Sequence, residues 1–262
     1  MALVCGGAGW ALPYTHFYTD DSRTVAMSWR RRDIPVYLST SILTPPANIK
    51  AGSDVEGAVR RSLRRWEQAS GVRFVTNLTP EQSASARRNG DRINLITVAD
   101  TPENSSFFSG ALIGYTKLFF DRRTGEISEA DIIINARQKF STDGSPGTYD
   151  LESTLTHEVG HLLGLDHSAV HGAIMREGQA INDGTGRSHF PGRELGEDDR
   201  AGVRSIYGES ADALSLDPGT VMSQKIFWPQ LVELKRHLPP RYLVSSESSC
   251  NPTSRLFGLR PA

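Results

Sequence analysis

The chain has 262 residues, with 29 Lys and Arg against 30 Asp and Glu and a formal charge of −1. That balance excludes a global field favouring nucleic acid or an anionic membrane, and no apolar run reaches the roughly 18 residues of a membrane-spanning helix. The length suffices for one substantial core with a small appendage. The start, Met1 to Gly7, has neither the basic region nor the apolar length of a secretion signal, so an export signal is not expected within this chain.

In chain order, Ile34 to Leu38 is β-prone, and Pro35 favours an edge strand or a strand start. Ser53-Asp54-Val55-Glu56 has the form of a capping box. Val55, Val59, Leu63 and Trp66 recur at helical spacing, and Ser70-Gly71 supplies a stop. Arg60, Arg61, Arg64 and Arg65 fall mostly on the opposite side and read as a solvated helix face. Val72 to Val75, Arg92 to Val98, Ile113 to Phe120 and Asp131 to Asn135 read as strands of one sheet, separated by polar, glycine-containing segments. Ser141 to Gly147 is loop composition and leads to a second helix, with Thr148 or Asp150 as its N-cap and Leu151, Leu155, Val159 and Leu162 as its apolar stripe.

That helix carries the most specific signal in the chain, His157-Glu158-Val159-Gly160-His161-Leu162-Leu163-Gly164-Leu165-Asp166-His167. Residues four apart share a helix face, so His157 and His161 can direct ring nitrogens at one ion while Glu158 stands beside them. Gly164 lets the chain turn sharply and bring back His167. Three imidazoles leave one position of a tetrahedral Zn²⁺ open, as a catalytic site requires. A zinc-bound water is acidified toward a pKa of roughly 7, and Glu158 can move its proton to a leaving amine.

These residues resemble the matrixins, the matrix-metalloprotease-like members of the metzincin zinc peptidases. The likeness extends upstream through Asp150 to Thr156, through Ser168 to Met175, and into Leu195 to Gly208, and covers about residues 30 to 208. It implies an α/β (α+β) zincin-like fold, with a mixed twisted sheet, an active-site helix, a methionine turn and a C-terminal helix. It also implies that Met175 forms a floor beneath the zinc without ligating it. The family's cleft is bordered by an edge strand that pairs with extended substrate, and Gly110, Ala111, Leu112, Ile113, Gly114 and Tyr115 are the candidates here. The irregular stretch Arg176 to Gly196 is expected to wall the specificity pocket. The family's additional structural zinc requires histidines that this chain lacks between Phe17 and Thr156, so that second site is not expected. His171 and His189 are not read as ligands, and no inhibitory propeptide is recognisable.

Asp121, Glu126, Glu129 and Asp131 are candidates for a Ca²⁺ site around a turn, with solvated carboxylates as the simpler reading. Cys5 and Cys250 are the only cysteines. A disulfide between them suits an exported protein, while Cys5 alone could reach the open zinc position. The chain divides into an N-terminal extension (1–29), the catalytic domain (30–208) and a C-terminal extension (209–262) with an apolar, helix-prone stretch after Pro229. The expectation is a secreted or extracellular zinc endopeptidase acting on protein or peptide substrates, with no nucleic-acid partner and no set oligomeric state. The competing reading is a catalytically silent or latent zinc protein that binds peptides.

Overall fold

Strand β1 (Asp33–Ser39) buries Ile34, Val36 and Leu38 at alternate positions, the period-two pattern of a sheet with one face on a core. In the computed structural model, which describes residues 14–183 and 192–208 and the backbone of 242–243, β1 lies inside the sheet. It pairs in parallel with β2 (Arg73–Thr79) and β3 (Leu95–Thr97). β3 runs parallel to β5 (Ile127–Ile134), and β4 (Gly114–Phe120) closes antiparallel onto β5. The order is β2-β1-β3-β5-β4-β8, where β8 (Tyr242–Leu243) meets β4 only at Phe119 and Phe120.

Pro35 therefore does not mark an edge strand. Pairing of β1 with β3 starts only at Tyr37, whose N–H donates to Asn94 O (2.8 Å), so the proline sits before the ladder needs its missing donor. The Asn94 amide covers the Pro35 carbonyl instead, at 2.7 Å. β2 runs past the predicted Val75 to Thr79 because seven register pairs with β1 outweigh its polar composition. β3 is shorter than predicted. Arg92 has a φ of 70°, and the Asn94 side chain bridges β1 and β5 by also accepting from Ala130 N (3.0 Å).

One face of the sheet carries the helices. α1 (Val55–Ser70) is capped by Asp54, whose carboxylate accepts from Gly57 N, and ends at Gly71. Its predicted apolar residues face the core and pack on α3 (Leu151–Leu162). α3 follows the short parallel pair β6 (Phe140–Ser141) and β7 (Tyr149–Asp150). Asp150 caps α3 through Ser153 N at 2.9 Å. All twelve residues of α3 are buried, and α4 (Glu197–Tyr207) packs against α1.

The arginine face of α1 is not uniformly solvated. Arg60 pairs with Glu56 on the surface, but Arg61 and Arg65 reach the buried Glu152 of α3 at 2.9 and 2.7 Å. Arg193 joins the same carboxylate at 3.3 Å. Two helices are thus clamped by ion pairs across residues that periodicity assigns to water.

The opposite face of the sheet is covered by the segments of residues 80–113 that flank β3, including the short helix α2 (Pro102–Ser105); their Ala84, Phe108 and Leu112 form a second apolar cluster with Tyr115 of β4 and Ile133 of β5. Within it Lys117, Glu129 and Asp131 are buried. The Lys117 ammonium donates to Ser85 O and lies 4.7 Å from the Phe107 ring centroid. Asp131 accepts from Leu95 N and Ser85 N, at 3.1 and 3.2 Å.

Residues before 30, read as an extension, contribute Phe17, Met27 and Trp29 to the main core. Among the described residues, no helix is long and apolar enough to cross a membrane. Cys5, His189, His237, Cys250 and the stretch after Pro229 lie outside the described residues.

Candidate active site

Two successive turns of α3 carry His157 and His161 on one face, and the chain then reverses at Gly164. Gly164 has a φ of 96°, and a Cβ there would lie 2.4 Å from Met27 O, so both backbone conformation and close packing require glycine. The reversal returns His167 to the helical pair. Ring centroids are 4.5 Å apart for His157 and His161, 5.2 Å for His157 and His167, and 4.9 Å for His161 and His167. One ligand atom from each lies within 4.8 Å of the others.

The hydrogen bonds fix the tautomers of the helical pair. His157 Nδ1 is 2.7 Å from Ile174 O and His161 Nδ1 is 2.8 Å from Leu165 O. A carbonyl can only accept, so each Nδ1 carries the proton and each Nε2 presents a lone pair. Those two lone pairs face each other at 2.9 Å. Burial first, and then the neighbouring imidazoles, hold both histidines well below their ordinary pKa, so neither supplies a proton to relieve the contact. Converging neutral donors of this kind suit a cation. With nitrogen ligands and spacing of this sort, the donor set fits Zn²⁺.

The segment that delivers His167 is tied on two sides. Phe17 N donates to Gly164 O (2.9 Å), Asp166 N donates to Thr15 O (2.9 Å), and the Phe17 ring stacks on His161 with centroids 5.1 Å apart. Beyond His167, Ser168 N donates to Met175 O at 2.9 Å, closing a loop that puts buried Met175 against α3. Met175 Sδ lies where a Gly160 side chain would stand, 2.2 Å from that site. Asp199 of α4 pins the loop by accepting from Ile174 N (2.7 Å) and Met175 N (3.0 Å). The spacing of the chain does not single out Asp199; the only hint was its position in the stretch resembling a closing helix.

Glu158 is fully buried and points to β4, where Thr116 Oγ1 lies 2.6 Å from its Oε2. Of the six candidate cleft residues, only Gly114 and Tyr115 belong to β4; Gly110 to Ile113 lead into it. Leu112 O and Ile113 O accept from Asn135 and are turned toward β5. Over Gly114 to Leu118, β4 is the outermost strand among the described residues. Of residues 176–196, the part before 184 is anchored to the start of α3. Thr154 Oγ1 donates to Gln179 Oε1 at 2.7 Å, and Asn182 N donates to Thr148 O at 2.9 Å. His171 sits away from the three histidines, 3.0 Å from an Arg176 guanidinium nitrogen.

The four carboxylates considered for calcium do not converge. Asp121 closes its own turn through Arg123 N and Thr124 N, Glu126 is exposed, and Glu129 and Asp131 are buried beside an ammonium group. Among the described residues the three-histidine group is the one cluster with metal-ligand spacing.

Two carbonyl-oriented histidines on a helix and a third brought back by a glycine reversal, backed by a methionine loop under a mixed sheet, define a zincin-like metal-site protein. The matrixin family model matches residues 28–208, and the chain belongs to the matrixin family. The hatching enzyme of Paracentrotus lividus is 27% identical over 198 residues, covering 72% of this chain and 28% of that protein. Neutrophil collagenase of Homo sapiens is 28% identical over 169 residues, 57% of this chain and 35% of that protein. Metalloendoproteinase 5-MMP of Arabidopsis thaliana is 48% identical over 59 residues, 22% of this chain and 14% of that protein. The matched region is thus well under half the length of each of these relatives.

Proposed function

We propose that this protein is a zinc-dependent endopeptidase, with His157, His161 and His167 holding the ion and Glu158 as the proton carrier. The observation that carries the reading is the facing pair of Nε2 lone pairs on His157 and His161, with Glu158 one residue away on the same buried helix. When bound, zinc supplies Lewis acidity, drawing electron density from the scissile carbonyl and making water a nucleophile near neutral pH. Glu158 takes a proton from the attacking water and returns it to the leaving amine. An extended peptide is positioned by strand addition along the outer edge of β4 from Gly114, which suits sequence-tolerant binding of protein substrates. Met175, packed against Gly160 and pinned by Asp199, keeps the floor of the site rigid. The catalytic unit includes Thr15 and Phe17 as well as residues 30–208, since Phe17 lies against His161 and Thr15 bonds to His167 O. Family membership favours work outside the cytosol.

The test is cleavage of a mixed peptide library by zinc-loaded protein, read by mass spectrometry beside a chelator-treated sample and Glu158→Ala. Glu158→Ala is expected to keep one zinc per chain and to lose at least about a hundredfold in kcat, because the ligands stay and the proton carrier goes. Equal cleavage by the variant would remove Glu158 from the mechanism. Zinc retention with no cleavage by the wild type would point to peptide binding.

A further inference from the structure

The carboxylate of Glu158 has a built seat on β4, made by two alternate residues, Gly114 and Thr116. Side chains alternate along a strand, so Gly114 and Thr116 share the face that meets α3, while Tyr115 and Lys117 face the 80–113 segment. Thr116 is fully buried and its hydroxyl stands 2.6 Å from Glu158 Oε2 and 3.1 Å from Glu158 O. A hydroxyl has one proton to give and Oε2 is the nearer acceptor, so the shorter contact is the bond that Thr116 donates to the carboxylate. On the other side, a Cβ at Gly114 would lie 2.5 Å from Glu158 Oε1 and 3.0 Å from its Cδ. The carboxylate therefore occupies the space that any larger residue at 114 would fill.

We infer that Gly114 and Thr116 are positioning residues for Glu158: Thr116 holds one carboxylate oxygen, and Gly114 leaves room for the other at the start of the edge strand. The inference rests on the endopeptidase reading for its catalytic consequence. A glutamate has three rotatable side-chain bonds, and a proton carrier has to be held close to one geometry. A fixed hydrogen bond on one oxygen removes that freedom and leaves the other oxygen to exchange the proton. The strand that borders the proposed substrate path is then also the strand that aims the base. Substrate position and base position share one rigid element.

The experiment compares Thr116→Val, Thr116→Ser and Gly114→Ala in the zinc-loaded protein. Thr116→Val keeps the volume and removes the donor. It is expected to lower kcat by about ten- to a hundredfold, with KM within about twofold and zinc content at one per chain. Thr116→Ser restores the hydroxyl and recovers most of kcat. Gly114→Ala is expected to lower kcat at least as far as Thr116→Val. In a Glu158→Ala background, Thr116→Val should cost nothing further, because its effect passes through Glu158. The bond is also read without turnover, from the infrared carboxylate stretch of protein labelled with 13C-glutamate: the band lost in Glu158→Ala should shift in Thr116→Val and return in Thr116→Ser. An unshifted band, equal kcat for wild type and Thr116→Val, or an equal loss in Thr116→Val and Thr116→Ser would overturn the assignment. A wild type that cuts no peptide would count against the endopeptidase reading, and the band shift would still decide whether Thr116 holds Glu158.

Discussion

Gly160 stands between the two helical histidines, and its missing side chain is what lets the methionine loop approach. A Cβ there would lie 2.2 Å from Met175 Sδ and 2.8 Å from Trp66 Cζ2. Alanine is the better helix former by about 1 kcal/mol, so propensity alone would make Gly160→Ala stabilising. Overpacking at a buried contact opposes it and typically costs about 1–3 kcal/mol. Trp66 has little freedom to yield, since its indole N–H donates to Thr156 O at 2.7 Å. The variant is expected to melt at a lower temperature and to release zinc to a chelator more readily. A raised melting temperature with full zinc retention would mean that Met175 moves without cost and is no rigid floor.

At the scale of elements, the contact between α1 and α3 is set as much by charge as by apolar packing. Glu152 sits in the first turn of α3 with its carboxylate 1% exposed, and Arg61, Arg65 and Arg193 converge on it. Glu152→Gln would leave those guanidinium groups facing a neutral amide. Asp54 still serves Arg61, and Glu194 still serves Arg65. The expected loss is about 2–3 kcal/mol, below the full value for a broken buried pair because the arginines reach solvent. Urea unfolding of both proteins measures it, and a difference near zero would show that Asp54 and Glu194 suffice. The sequence reveals α1 well, since its cap, stripe and stop are all local: Asp54, Val59 and Gly71. The three-histidine cluster is legible for the same reason, lying within eleven consecutive residues of the chain. The roles of Arg61, Asp199 and Thr116 were not, because each depends on a partner from a distant segment. The ends of β2 and β3 were missed because cross-strand register, and not side-chain preference, decides them.

For the whole molecule, the buried charges behind the sheet set a pH dependence separate from the three-histidine site. Burial, the largest effect, raises the Glu129 carboxyl to about 7, opposed by the hydrogen bond from Arg92 N. A carboxyl raised on folding holds its proton more tightly in the folded chain. Its contribution is complete below the ordinary value of 4.5 and is lost as pH climbs through about 7. Melting temperature is therefore expected to fall between pH 5 and about 8, and Glu129→Gln, which mimics the protonated form, should flatten that slope. An identical slope in both proteins would assign it elsewhere. A second consequence concerns synthesis. Thr15 donates to His167 O across 152 positions, and the Phe17 ring rests on His161. Residues near 16 leave the ribosome long before residues near 166 exist, and contacts this distant form late in folding. Thr15 and Phe17 thus meet these partners only once the chain has been made past residue 167. The three-histidine site is completed only after most of the domain has been made, by residues from its two far ends.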